Sequence, residues 1–164
     1  MSRASFAEFH CSLSRALDVM GDWWSPLVLR DVYLGIDTFD ELVRDLGVSR
    51  PLLKDRLDRL VDGDVLERVV YSTRPQRFRY ALTASGRELV SVLIALTQWG
   101  DRWHAPDGPP IVLRHDCGEI LEVSVTCRAC GGAVRPDETS AQPGPGGRAA
   151  PGTLVVAERL ARIS

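Results

Sequence analysis

Apolar side chains along the first hundred residues recur at helical spacing, then at strand spacing, then at helical spacing again. Leu13, Ala16, Leu17 and Met20 mark one face of a short helix over 12–20, which Gly21 ends. Trp23 and Trp24 follow in a turn. With apolar neighbours they read as core and seam residues rather than a ligand cage. Ser25-Pro26 is a helix start of cap-plus-proline type. Leu27, Val28, Leu29, Val32, Tyr33 and Leu34 then make a helix apolar nearly all round, the kind that sits at the centre of a domain.

Two capped helices and a hairpin come next. Thr38, with Glu41 three residues on, has the pattern that ties up two otherwise unpaired backbone donors. Leu42 and Leu46 supply the apolar stripe of this helix, and Gly47 suits a left-handed end. Ser49 opens the second helix, with Pro51 in its first turn where a missing N–H costs nothing. Leu53, Leu57, Leu60 and Val61 bury one face and leave Arg50, Lys54, Asp58 and Arg59 on the other. Only Gly47 and Val48 separate the two helices, so they must cross sharply, as in a helix-turn-helix. Past Gly63, residues 65–71 and 78–82 are β-rich runs around a polar tip, an antiparallel hairpin. From Arg68 to Arg79 the hairpin holds four arginines and no acid. Two helices and a basic β-wing form the winged-helix arrangement, with one helix in the major groove and the wing on the backbone or minor groove. A solvated hairpin on another small α+β domain is the competing reading.

Thr83 caps a further helix, which Leu89, Val90, Leu93, Ile94, Leu96, Trp99 and Trp103 continue to about His104. These positions cover more than one face, so a partner surface is implied. We expect a twofold homodimer built on this helix and on helix 12–20, with Leu93, Leu96, Trp99 and Trp103 at the seam. Asp107-Gly-Pro-Pro110 then breaks the chain. Short strands at 111–113 and 120–125 surround His115-Asp-Cys117-Gly118 and Cys127-Arg-Ala-Cys130-Gly131. Residues 136–152 are rich in Gly, Pro, Ala and Ser and read as disordered, before a short amphipathic terminal helix.

Composition sharpens this picture. The 164 residues have room for one ordinary core and an appendage, and 45% hydrophobic with 26% charged residues is a soluble globular balance. No run of 18 apolar residues and no charged-then-apolar leader occur, so neither a membrane span nor secretion is expected, and the location expected is cytoplasmic. A net charge of −2 argues against nonspecific coating of nucleic acid. Yet residues 49–80 hold eight Lys/Arg against five Asp/Glu, a local balance of +3. Four cysteines, unevenly placed, suit metal binding or thiol chemistry better than a disulfide scaffold. No glycine-rich phosphate loop, nucleophile elbow or Ser/His/Asp set is visible, so an enzyme is not expected.

The residues also carry a family resemblance. The run from Cys11 to Trp24 (CSLSRALDVMGDWW), Leu29-Arg30-Asp31 and Thr38-Phe-Asp-Glu-Leu resemble the HxlR-type winged-helix regulators, relatives of the MarR group. Ser49 with Leu53, Arg56, Leu57 and Leu60 continues the likeness, as do Gly63-Asp-Val-Leu-Glu-Arg, Arg79-Tyr-Ala-Leu-Thr, Gly86-Arg-Glu-Leu and Trp99-Gly. It covers about Cys11 to Gly100 and departs at Trp23 and Ser25-Pro26, while Pro51 and Asp55 stand within the recognition helix. The resemblance implies a dimeric bacterial transcription factor bound to operator DNA near the genes it controls.

The expectation is therefore an α+β, mainly helical chain. It comprises an arm (1–10), a winged helix-turn-helix domain for DNA binding and dimerisation (11–104), a linker (105–110), a small β-rich Cys/His module (111–136), a disordered stretch (137–152) and a terminal helix (153–164). Its partners are a pseudo-palindromic double-stranded operator and a second copy, and the expected outcome is repression. The alternatives are a winged-helix protein–protein interaction adaptor without DNA binding and a zinc-dependent regulatory module. Arg50 and Lys54 are the candidates for guanine edges or phosphates, Ser49 for a phosphate, and Arg68, Arg74 and Arg77 for contact through charge. Asp55 is placed to orient Arg59 or to accept from a cytosine amino group. His115, Cys117, Cys127 and Cys130 are candidate ligands of a structural Zn2+ in a zinc-ribbon-like module. A redox-active Cys127/Cys130 pair and a remnant that binds no metal are the alternatives. Cys11 precedes the first helix, where unpaired N–H groups favour a thiolate. Some members of the resembled family sense oxidants or electrophiles with a cysteine there; a small buried apolar residue is the other reading.

Overall fold

The computed structural model describes residues 6 and 8–162. Among these, α1 (Ser12–Met20), α2 (Ser25–Tyr33), α3 (Phe39–Leu46) and α4 (Arg50–Asp62) lead into β1 (Leu66–Thr73) and β2 (Gln76–Leu82), followed by α5 (Ala84–His104) and α6 (Leu154–Ala161). The fold is α+β and winged-helix-like. α2 is its hub, packed against α1, α3, α4, α5 and β2, with Val28 and Leu29 wholly out of solvent. Around it close Leu42, Val48, Leu53, Leu57, Leu60, Val65, Leu66, Tyr80 and Leu93. Side chains of that size contribute about 1.5–3 kcal/mol each on burial, which makes this cluster the main source of stability.

Asp22, rather than Ser25, caps α2. Its Oδ1 accepts from the amides of Trp24 (2.8 Å) and Ser25 (2.9 Å), and its Oδ2 accepts from the Ser25 hydroxyl (2.6 Å). Thr38 stands at the N-cap of α3, but its hydroxyl donates to the Glu41 carboxylate at 2.5 Å and makes no capping bond to the backbone. Gly47 ends α3 at φ 63°, a left-handed conformation costly for a residue with a Cβ. Trp24 is half-buried against the core, whereas Trp23 is 89% exposed and takes no part in it.

The hairpin pairs antiparallel from Leu66↔Leu82 to Thr73↔Gln76, with a bulge between Val70 and Ser72. Most of the expected polar tip therefore belongs to the ladder, and only Arg74 and Pro75 turn. Leu66 and Tyr80 anchor the base while the outer part stands free of the core, so the hairpin projects as a wing. Thr83 caps α5 by accepting from the Gly86 amide (3.0 Å). A Cβ on Gly86 would lie 2.2 Å from the Val65 carbonyl oxygen, so only glycine lets α5 start this close to the sheet.

Beyond α5 the stretches 111–113 and 120–125 form no strands. Two successive turns hold this segment instead, each with one isolated bridge, Arg114↔Ile120 and Thr126↔Ala133. The runs are short and their apolar side chains Ile111, Val112, Ile120 and Val125 stay exposed, so little burial rewards a longer ladder. Gln98 of α5 fastens the segment, its Nε2 donating to the Leu121 carbonyl (2.5 Å) and its Oε1 accepting from the Val123 amide (2.8 Å). Of residues 1–10, Phe6 donates its amide to the Asp18 carboxylate (3.0 and 3.1 Å) and His10 donates its amide to the Pro151 carbonyl (3.0 Å). The remainder of that arm, residues 1–5 and 7, lies outside the described residues. No described helix is long and apolar enough to cross a membrane.

Candidate nucleic-acid interface

Leu53, Leu57 and Leu60 pin α4 to the core, and Val48 does the same for the turn before it. This leaves Ser49, Arg50, Lys54, Asp55 and Arg59 exposed on the outer face, beside the wing. A cleft of about 1000 Å³ separates α4 and the start of α3 from the strands. Ser49 stands at the N-cap without a capping bond from its hydroxyl.

The six nominated side chains differ in their surroundings. Arg74 and Arg77 stand at and beside the wing's turn, exposed and without an ion pair among the described residues. Arg50 Nη2 lies 2.7 Å from Asp40 Oδ1, with its guanidinium over the Phe39 ring. Lys54 Nζ lies 2.5 Å from Asp58 Oδ2, and Arg68 of β1 pairs with the other oxygen of the same carboxylate. The Lys54 hydrogen bond, with the charges of Lys54 and Arg68, holds the Asp58 carboxyl below the usual carboxylate range. Asp55 meets both Arg56 (2.7 Å) and Arg59 (3.0 Å), so it does orient Arg59. Arg79, not among the nominated residues, lies over the Tyr71 ring at the root of the wing.

The cysteines fall into two regions. Cys11 is the N-cap residue of α1, where the nearby Ser14 amide and hydroxyl and the Leu13 amide push its thiol pKa down. His115 and Cys117 share one exposed turn, and Cys127 and Cys130 another. The Cys127 thiol is held down by the Cys130 and Ala129 amides and by the Cys130 side chain. Among the described residues no three of His, Cys, Asp and Glu converge where one ion could be held. The nominated zinc ligands stand in two pairs, His115 with Cys117 and Cys127 with Cys130. At the nominated seam, Leu96, Trp99 and Trp103 are 56%, 54% and 66% exposed, whereas Leu93 is 8% exposed and belongs to the chain's own core.

Comparison with known proteins bears on this geometry. The sequence model of a family described as "HxlR-like helix-turn-helix" matches residues 19–107. An HTH-type transcriptional regulator of Mycobacterium bovis, Mb3122, itself uncharacterized, is 41% identical over 140 residues, covering 84% of this chain and 89% of its own. The crystal structure of PA1607, a candidate transcription factor, superposes with a TM-score of 0.75 at 32% identity, over 85% of this chain and 99% of that one. The redox regulator HypR in its reduced form superposes with a TM-score of 0.52 at 26% identity, over 56% of this chain and 92% of that one.

Proposed function

The chain belongs to the HxlR-like helix-turn-helix family, a family of DNA-binding transcriptional regulators, and we propose that it works as a homodimeric repressor on a pseudo-palindromic operator. α4 enters the major groove, where Arg50 and Lys54 meet base edges or phosphates and Ser49 meets a phosphate. The wing lies along the backbone through Arg74 and Arg77. Two copies joined through α1 and α5 present their α4 helices about one DNA turn, ~34 Å, apart. The observation that carries this reading is the projecting wing with two arginines at its tip that have no ion pair among the described residues, beside a helix whose outer face presents Arg50 and Lys54 and whose inner face is locked to the core. A duplex DNA partner implies action in the cytoplasm.

A binding-site selection on the purified chain, followed by fluorescence anisotropy across a salt series, tests it. Replacing Arg74 and Arg77 together by alanine should weaken binding to every duplex alike. It should also lower the slope of log affinity against log salt by about two, one for each phosphate that the variant leaves to its counterions. Arg50→Ala should also relax sequence preference. Unchanged binding in both variants would place the interface elsewhere.

A thiol response is the second part of the proposal. Its support is the lowered Cys11 thiol at the start of α1, together with the likeness to HypR, a redox regulator. Diamide should release wild type from its operator and leave Cys11→Ser bound; equal release of both would remove Cys11 from the response.

A further inference from the structure

The recognition face offers fewer free cations in the folded chain than the +3 of residues 49–80 suggests, and particular carboxylates are responsible. Asp58 holds Lys54 of its own helix at 2.5 Å and Arg68 of β1 at the same time. Asp40, in the first turn of α3, holds Arg50 at 2.7 Å. Arg74 and Arg77 have no such partner among the described residues. The cleft that most of these residues border carries Asp40, Glu41, Asp58 and Asp62 against Lys54, Arg68 and Arg77, four negative charges to three positive. The five nominated cations of this face therefore form two classes: Arg74 and Arg77 ready at the wing tip, and Arg50, Lys54 and Arg68 already bonded to carboxylate oxygens.

The paired cations are exposed arginine and lysine side chains, and exposed pairs add little to folding stability. What they do control is availability. A carboxylate oxygen presents an ammonium or guanidinium with the same acceptor that a phosphate oxygen would. A phosphate approaching Lys54 or Arg68 must displace that acceptor and then lie beside a bare carboxylate, which repels it.

We propose that Asp58 and Asp40 are internal stand-ins for DNA phosphate that raise specificity by withholding Lys54, Arg68 and Arg50 from non-cognate duplex. This rests on the DNA-binding reading above. Non-cognate DNA offers phosphates without matching base edges, so it engages Arg74 and Arg77 and fails to displace the carboxylates. A cognate site supplies base contacts that offset the exchange, and all five cations then engage. Asp58 and Asp40 are positioning residues that act through their cationic partners.

The test measures binding of full-length wild type, Asp58→Asn, Asp40→Asn and the double variant to a random-sequence duplex and to the selected operator, across a salt series. Asparagine keeps the shape and removes the charge; a thermal melt checks that each variant folds. Each single variant should bind random duplex about two- to fivefold more tightly, the double variant more tightly still, with a steeper salt dependence and a smaller operator-to-random ratio. Folded variants whose affinity for random duplex is unchanged or weaker would overturn the proposal, a loss marking Asp58 as merely a brace between α4 and β1. Asp40 lies on a different element and makes no contact with the wing's arginines, so it separates stand-in from brace. If wild type binds no duplex even at low salt, the DNA-binding reading fails and this one with it; if wild type binds and only the asparagine variants are silent, this one alone fails.

Discussion

At the scale of single residues, Asp22 carries more than its position in a turn suggests. One carboxylate accepts two backbone amides and a hydroxyl at the start of α2, the hub of the core, and its Oδ1 lies 3.2 Å from Arg56 Nε of α4. Partial burial pushes its pKa up, but the bonds from Ser25 and Trp24 and the Arg56 charge outweigh it, so the net shift is downward from the ordinary 3.8. A depressed native carboxylate stabilises fully above its unfolded value and loses that contribution as pH falls through its native value. Asp22→Ala should thus cost about 1–2 kcal/mol at neutral pH, the range for a lost N-cap. The difference between wild type and variant in urea melts should shrink as pH drops below 3.8. A gap of constant size across that range would mean that the carboxylate's charge has no part in it. Asp31 shows the opposite balance: burial pushes its pKa up against Arg30, whose guanidinium lies 2.6 Å away.

At the scale of elements, what is legible in the sequence is what local chemistry decides. α3, α4 and the wing follow from apolar spacing, a left-handed glycine and the change of period after Gly63, all signals within a few residues of their effect. Ser25-Pro26 draws the cap of α2 to the wrong residue because it is a start signal in itself, although an aspartate three residues before it is one too. The wing's tip reads too long because Thr73, Gln76 and Arg77 are polar yet pair in the ladder, where they face water on both sides. In the candidate interface the cations are legible by residue type, and the Lys54–Asp58 bond by its i,i+4 spacing. Arg50–Asp40 and Arg68–Asp58 each join residues ten apart in the chain, on different elements. They exist only once α3, α4 and β1 are packed, and no periodicity announces them. The 111–136 stretch has strand-like runs, but strands need a partner and a buried face, and here Gln98 supplies the attachment instead.

At the scale of the whole molecule, α5 divides its apolar residues between two environments. Gly86, Val90 and Leu93 face the chain's own core, while Val92, Leu96, Trp99 and Trp103 form an exposed stripe at spacings of four, three and four. That is the repeat by which one helix packs along another. Leu13 and Leu17 on α1 are exposed as well. An exposed apolar stripe of this character fits the second copy proposed above, related by a twofold axis as the proposed palindromic operator requires. Leu96→Glu combined with Trp103→Glu places charge in that stripe and leaves the Leu93 side of the helix intact. Light scattering should give twice the chain mass for wild type and the single-chain mass for the variant, with the same helical circular dichroism. Operator affinity should then fall by about 10²–10⁴, because the second half-site no longer binds as part of the same complex. Binding to an isolated half-site should be unchanged, since α4 and the wing are untouched. A wild type that is monomeric at every concentration, or a monomeric variant with full operator affinity, would break the link between this stripe and DNA binding.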